Sequence, residues 1–143
     1  MSNRVKNALI IILLLVVALG GGALTLFDVF GYRTWTTEKL TSDFHTMAQQ
    51  KFGDEGEAIV LIDHNEDAIA LLCCNATRDK GYFELHKRDL ISGKWEKSMG
   101  AGNLGKEAGM YSYAATYQRP DNSEGTAYFS LNGKDNEPSL RLY

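Results

Sequence analysis

Apolar and polar residues divide the chain into one long uncharged run and a mixed remainder. The run covers 20 residues, from Ala8 to Phe27, and consists mainly of Leu, Ile, Val, Ala and Gly. A helix rises about 1.5 Å per residue, so this length predicts a helix that crosses a hydrocarbon layer about 30 Å thick. The sequence therefore predicts a transmembrane anchor over residues 1–30 and one separate domain over residues 31–143.

Basic residues beside the run predict its direction, and aromatic residues mark its outer boundary. Arg4 and Lys6 precede it, and basic residues favour the cytoplasmic side of a membrane. Aromatic rings favour the depth of a membrane–water interface, and four of them lie at the outer boundary of the run: Phe27, Phe30, Tyr32 and Trp35. We expect a single-pass protein of the cell membrane, with a cytoplasmic N-terminus and a periplasmic or extracellular domain.

The same segment also has the features of a cleaved signal peptide. A basic start and a dense apolar stretch precede Gly21 and Ala23, which are small enough to stand before a cut after Ala23. Cleavage would release the rest of the chain as an exported protein. The sequence leaves both interpretations open.

An amphipathic helix is predicted from about Thr37 to Phe52. Thr36 or Thr37 can cap its start, and Gly53 can end it. Apolar residues recur at the spacing of one helical face: Leu40, Phe44, Met47, Ala48 and Phe52.

Short apolar or alternating segments then predict strands. The run from Ala68 to Cys74 is continuously apolar, as in a strand buried on both faces. Short turns between successive strands favour an antiparallel β-meander of about five to six strands. With the helix covering one face, the fold class is α+β. The segments are 58–62, 68–74, 82–87, 95–99, 110–118 and 126–131, with a short last candidate at 140–143.

The glycine-rich segment from Gly100 to Gly109 imitates a phosphate-binding loop. Its glycine spacing fits G-x-G-x-x-G and G-x-x-x-x-G-K. Glu107 stands where the second motif needs Ser or Thr, and an alternating strand pattern follows where a helix is needed. We therefore predict a flexible connection between strands and no nucleotide cofactor.

A second segment imitates the start of a calcium loop. Asp63, Asn65 and Asp67 match its first three ligand positions, but Ala68 replaces the required Gly. The acid expected at the twelfth position falls on Cys74. The segment is therefore predicted to be a hairpin turn without metal.

Histidines and cysteines complete the search for chemistry. His45, His64 and His86 lack the paired spacing of a zinc site, and no nucleophile can be assigned to the Asp63–His64 pair. Cys73 and Cys74 are adjacent, so on a strand they point to opposite faces and are predicted to be buried free thiols. No catalytic, metal or cofactor residue is predicted, and the protein is not expected to be an enzyme.

Aromatic residues and the glycine-rich segment supply the candidate contacts for a partner. Tyr111, Tyr113, Ala115 and Tyr117 share one strand face, which is either an exposed contact or the core beneath the amphipathic helix. The small and polar residues of the opposite face favour the core. The candidate contacts are Tyr82, Trp95, Gly102, Asn103, Tyr111, Tyr113 and Tyr117.

Charge limits the class of partner. The formal net charge is -3. Removing Arg4 and Lys6 from the 15 basic residues leaves 13 against 18 acidic ones, a balance unfavourable for nucleic acid. We expect a non-enzymatic binding or accessory domain, held by membrane lipid around its helix and bound to another envelope or membrane protein. The alternative is a secreted inhibitor or immunity-type protein, released by cleavage.

Overall fold

The computed structural model describes residues 3–26, 36–91 and 93–143. Contacts within the chain divide it into two compact units, Met1–Tyr32 and Arg33–Tyr143. Helix α1 spans Asn3–Leu26. Among the described residues, no helix is both long enough and apolar enough to cross a membrane. The last residue of the apolar run and the aromatic residues predicted at its outer boundary lie outside the described residues: Phe27, Phe30, Tyr32 and Trp35.

The amphipathic helix is confirmed as α2, Thr37–Phe52. Thr36 caps it, because its Oγ1 accepts a hydrogen bond from the Lys39 N–H at 3.1 Å. Gly53 follows the helix and begins a short 3₁₀ turn, Gly53–Glu55. The predicted apolar face is largely buried, through Leu40, Phe44, Ala48 and Phe52.

Seven strands among the described residues form two antiparallel sheets. The first sheet has the order β1-β2-β3-β4 and the second the order β5-β6-β7. The α+β class and the antiparallel pairing are confirmed, but the strands divide between two sheets where the sequence predicted one meander of five to six. The strands are Ile59–His64, Ala68–Cys74, Lys80–Arg88, Trp95–Gly105, Ser112–Gln118, Glu124–Ser130 and Ser139–Leu142.

Strand β2 lies at the centre of the domain. All seven of its residues are buried, which confirms the prediction from its continuous apolar sequence. One face, which includes Leu72 and Cys74, packs against the second sheet. The other face, which includes Leu71 and Cys73, packs against α2. The first sheet is therefore the middle layer between the helix and the second sheet.

The prediction of a glycine-rich loop was wrong for half of its length. Strand β4 continues to Gly105. A Cβ atom on Gly100 would lie 2.9 Å from the Cβ of Ala115, so glycine permits the second sheet to approach here. The connection begins at Gly105, whose φ of 113° leaves the extended conformation. Periodicity could not show this, because glycines carry no apolar pattern.

The tyrosine-bearing face of β5 is in part a core face, but α2 does not cover it. Tyr117 and Ala115 are buried with residues of the first sheet. Tyr113 stacks on Phe83 at 4.9 Å between ring centroids, yet it remains 40% exposed and Tyr111 39%. The opposite face is exposed along the strand, as its small and polar residues predict.

Candidate functional site

Four polar side chains form a cluster on the face of the first sheet that also carries α2. Tyr82, Glu84 and His86 occupy alternate positions of β3 and therefore share a face. Lys97 lies opposite His86 in the antiparallel register with β4. These four residues are named the Glu84 cluster below.

The carboxylate of Glu84 is the centre of this cluster. Its Oε1 accepts hydrogen bonds from Tyr82 Oη at 2.9 Å and from Lys97 Nζ at 2.6 Å. Its Oε2 lies 2.7 Å from His86 Nε2, which therefore carries the hydrogen that an ionised carboxylate accepts. The side chains of Glu84 and His86 are only 11% and 6% exposed, whereas Lys97 is 50% exposed.

These contacts determine the ionisation of the cluster. Burial alone would raise the pKa of Glu84, but the hydrogen bonds from His86, Lys97 and Tyr82 outweigh it and lower the pKa to about 2. Burial would lower the pKa of Lys97, but its bond to Glu84 outweighs burial and raises it. Burial and the hydrogen bond to Glu84 raise the pKa of Tyr82. At neutral pH, the cluster therefore holds a carboxylate, an ammonium and a neutral phenol.

His86 retains one unused polar atom. Its Nδ1 is buried and has no hydrogen-bond partner within the part of the chain that the structure describes. Because the hydrogen on Nε2 is directed at Glu84, Nδ1 is the acceptor nitrogen of this tautomer.

The last turn of α2 extends the cluster toward solvent. Lys51 Nζ donates to Asn103 Oδ1 at 3.2 Å and lies 4.5 Å from the centroid of the Tyr82 ring. Lys97 lies beside Tyr82, because both side chains donate to the same oxygen of Glu84, Oε1. Lys51, Tyr82, Lys97 and Asn103 therefore form one polar surface, named the Lys51–Lys97 surface below.

The two cysteines are free and buried, as predicted. Burial is the largest cause that raises the pKa of Cys73 to about 12 and that of Cys74 to about 11. Cys73 Sγ also donates to the Tyr82 carbonyl oxygen at 3.6 Å. Both side chains therefore remain thiols at neutral pH, which is the unreactive form.

The structure separates the candidate partner contacts into three groups. Tyr82 and Asn103 meet on the Lys51–Lys97 surface. Trp95 is 7% exposed and donates from Nε1 to Thr37 Oγ1 at 3.0 Å, and Tyr117 is also buried. The others lie on the side of the second sheet. A Cβ atom on half-buried Gly102 would lie 3.3 Å from the Phe83 ring, and Tyr111 and Tyr113 are exposed.

Sequence reasoning missed Glu84, His86 and Lys97 as parts of a site. The alternation of β3 places Glu84 and His86 on the face opposite Phe83 and Leu85, a pattern typical of a strand with one wet face. Glu84 and His86 are nevertheless buried. The only local signal was a tyrosine, an acid and a histidine at alternate positions of one strand.

In the segment that imitates a calcium loop, polar side chains accept hydrogen bonds from backbone N–H groups. Asn65 Oδ1 accepts the N–H groups of Asp67 and Ala68, each at 2.9 Å. Asp63 Oδ2 accepts the Leu142 N–H at 2.9 Å, which joins the first sheet to the last strand. Among the described residues, no three acidic, histidine or cysteine side chains are grouped as metal ligands.

Comparisons with protein-family models, with curated proteins and with solved structures found no match for this chain.

Proposed function

We propose that the protein is a membrane-anchored binding or accessory domain that lies outside the cytoplasm and has no catalytic activity. The observation that carries this proposal is the surface of α1. Every large aliphatic side chain from Leu9 to Leu19 is 52% to 72% exposed. A helix that is apolar on all sides favours an apolar environment, and the uncharged sequence of residues 8–27 fits a membrane.

The ionisation of four side chains in the domain argues against their use as nucleophiles. Nucleophilic catalysis requires a group whose environment favours its reactive, deprotonated form. The environments of Cys73, Cys74, Tyr82 and Lys97 all raise their pKa values. Each of these side chains is therefore held in its protonated form.

The Lys51–Lys97 surface is the partner contact that we propose. Lys97 is half exposed but is held by a buried carboxylate, and Lys51 is oriented by Asn103 and the Tyr82 ring. Because Lys97 is half exposed, its contact with Glu84 holds an ammonium group in a fixed position at the surface. Two ordered ammonium groups suit an acidic segment of another envelope or membrane protein.

Photo-crosslinking in native membranes tests this contact. A photoreactive amino acid at Asn103 should capture a membrane protein, whereas one at Arg141, which is exposed on the second sheet, should not. Lys97→Glu should strongly reduce the adduct. Lys106→Glu makes the same charge change on an exposed residue outside the surface and should leave the adduct intact. Equal capture from Asn103 and Arg141, or equal loss with both lysine variants, would reject the surface.

The mass of the mature protein tests the anchor separately. A full-length mass in the membrane fraction, resistant to alkaline extraction, is expected. If the mass lacks residues 1–23 and the protein is in the soluble fraction, the anchored domain is rejected in favour of the secreted inhibitor or immunity-type protein.

A further inference from the structure

The turn between β3 and β4 exposes two neighbouring aliphatic side chains. Leu90 is 74% exposed and Ile91 is 76% exposed. These are the highest values for large apolar residues in the described part of residues 36–143, where the next is Tyr143 at 60%. Apolar side chains exposed together at one position often mark a contact with a partner or a membrane.

Hydrogen bonds hold this turn in shape. The Asp89 carbonyl oxygen accepts the Gly93 N–H at 2.8 Å, and the Asp89 N–H donates to the Lys94 carbonyl oxygen at 2.8 Å. Asp89 Oδ1 accepts the Ile91 N–H at 3.2 Å. Hydrogen bonds thus hold the described residues on either side of these two aliphatic side chains.

The turn lies at the end of the domain where the chain enters it. Arg88 pairs with Trp95 at the base of the turn, and Trp95 Nε1 donates to Oγ1 of Thr37, the first residue of α2. The other end of α2 lies near Asn103, through Lys51. The helix therefore runs along β4, and both begin at the end that carries Leu90 and Ile91.

The connection to α1 limits the distance of this end from the N-terminal segment. Residues 27–36 separate α1 from α2. Ten residues span at most about 36 Å when fully extended. If residues 8–27 are held in a membrane, Thr37 can lie at most about 36 Å from its surface, so the end of the domain with Leu90 and Ile91 can reach the bilayer.

We propose that Leu90 and Ile91 insert into the lipid bilayer that holds the N-terminal segment, so that the protein contacts the membrane at two points. This inference rests on the proposed anchoring. Nearby charges are mixed, since Lys87 and Arg88 lie close to Asp67 and Glu96 beside the turn. Insertion therefore depends on the aliphatic side chains and needs no anionic lipid.

Lipid-depth measurements on the full chain test this contact. Leu90→Cys is labelled with an environment-sensitive fluorophore, and the protein is reconstituted at low density in phosphatidylcholine vesicles. The native thiols do not compete for the label, because Cys73 and Cys74 are 0% and 1% exposed. Met110→Cys is the matched control. Met110 is an exposed apolar residue at the opposite end of β4, where it pairs with Gly105.

The expected result is a blue-shifted probe at residue 90 that nitroxide lipids quench and aqueous iodide does not. The probe at residue 110 should show the reverse. An aqueous probe at 90 in protein that floats with the vesicles overturns the inference and leaves the anchor intact. Lipid quenching of both probes also overturns it, because the contact would not be specific to the turn. Failure of the chain to float overturns the proposed anchoring itself.

Discussion

Replacing Glu84 with glutamine removes the charge at the centre of the Glu84 cluster and keeps the shape of the side chain. Lys97 then loses the carboxylate that it contacts at 2.6 Å. His86 Nε2 loses the anionic acceptor at 2.7 Å. We expect Glu84→Gln to lower the free energy of unfolding at pH 7 by about 1.5–3 kcal/mol, the range for hydrogen bonds to a charged group.

The pH dependence of stability defines the contribution of Glu84 more closely. The fold lowers the pKa of Glu84 from 4.5 to about 2. Because the folded-state pKa lies below the unfolded one, the stabilisation is present above pH 4.5 and is lost as the pH falls toward 2. At 1.36 kcal/mol per pH unit, the full contribution is about 3 kcal/mol, of which about 2 kcal/mol is lost by pH 3.

Urea denaturation of the detergent-solubilised full chain, followed by tryptophan fluorescence, measures this contribution at pH 7, 5 and 3. Between pH 7 and pH 3, the wild type should lose about 2 kcal/mol more stability than Glu84→Gln. Glu66→Gln removes a carboxylate from the exposed turn between β1 and β2 and should retain the wild-type dependence. Equal losses in the wild type and Glu84→Gln would refute the assignment of a strongly lowered pKa to Glu84.

Three further predictions concern packing, thiol reactivity and a turn. Gly100→Ala should destabilise the domain by about 1–3 kcal/mol in urea denaturation, because the new Cβ would lie 2.9 Å from that of Ala115. Cys73 and Cys74 should not react with a maleimide in the native protein at pH 7, and unfolding should add two labels by mass. Asn75→Ala should cost about 1–3 kcal/mol, because buried Asn75 accepts two N–H groups in the β2–β3 turn, each at 3.1 Å.

Each of these predictions has its own control. Gly102→Ala meets only the Phe83 ring, at 3.3 Å, and should cost less than Gly100→Ala. Equal costs would contradict the close approach of the sheets. Rapid labelling of the native thiols would contradict their burial. Thr77→Ala removes a single partner of Asn75, so it should be milder than Asn75→Ala.

The sequence was sufficient where a local pattern repeats over enough residues. Helix α2 was predicted over Thr37–Phe52, and β2 over Ala68–Cys74. Both predictions depend on a periodic or continuous apolar pattern. Such a pattern determines which faces are buried, independently of the element that packs against them. The burial of Cys73 and Cys74 followed from the same pattern.

Tertiary structure decided which residues are neighbours across the sheets. Contacts between distant segments determine three features of the fold. These are the division into two sheets, the extension of β4 through Gly100 and Gly102, and the burial of Tyr117. Glycines and tyrosines serve equally in loops, edges and cores, so their local sequence could not distinguish these positions.

The Glu84 cluster shows the same limit for the candidate site. The alternation of β3 determined that Glu84 and His86 share a face, but it did not show that this face is buried. Lys97 approaches Glu84 only through the pairing of β3 with β4, and α2 packs on the same sheet face. These long-range contacts bury Glu84 and bring the ammonium group of Lys97 to it. The ionisation of the site therefore follows from the tertiary fold.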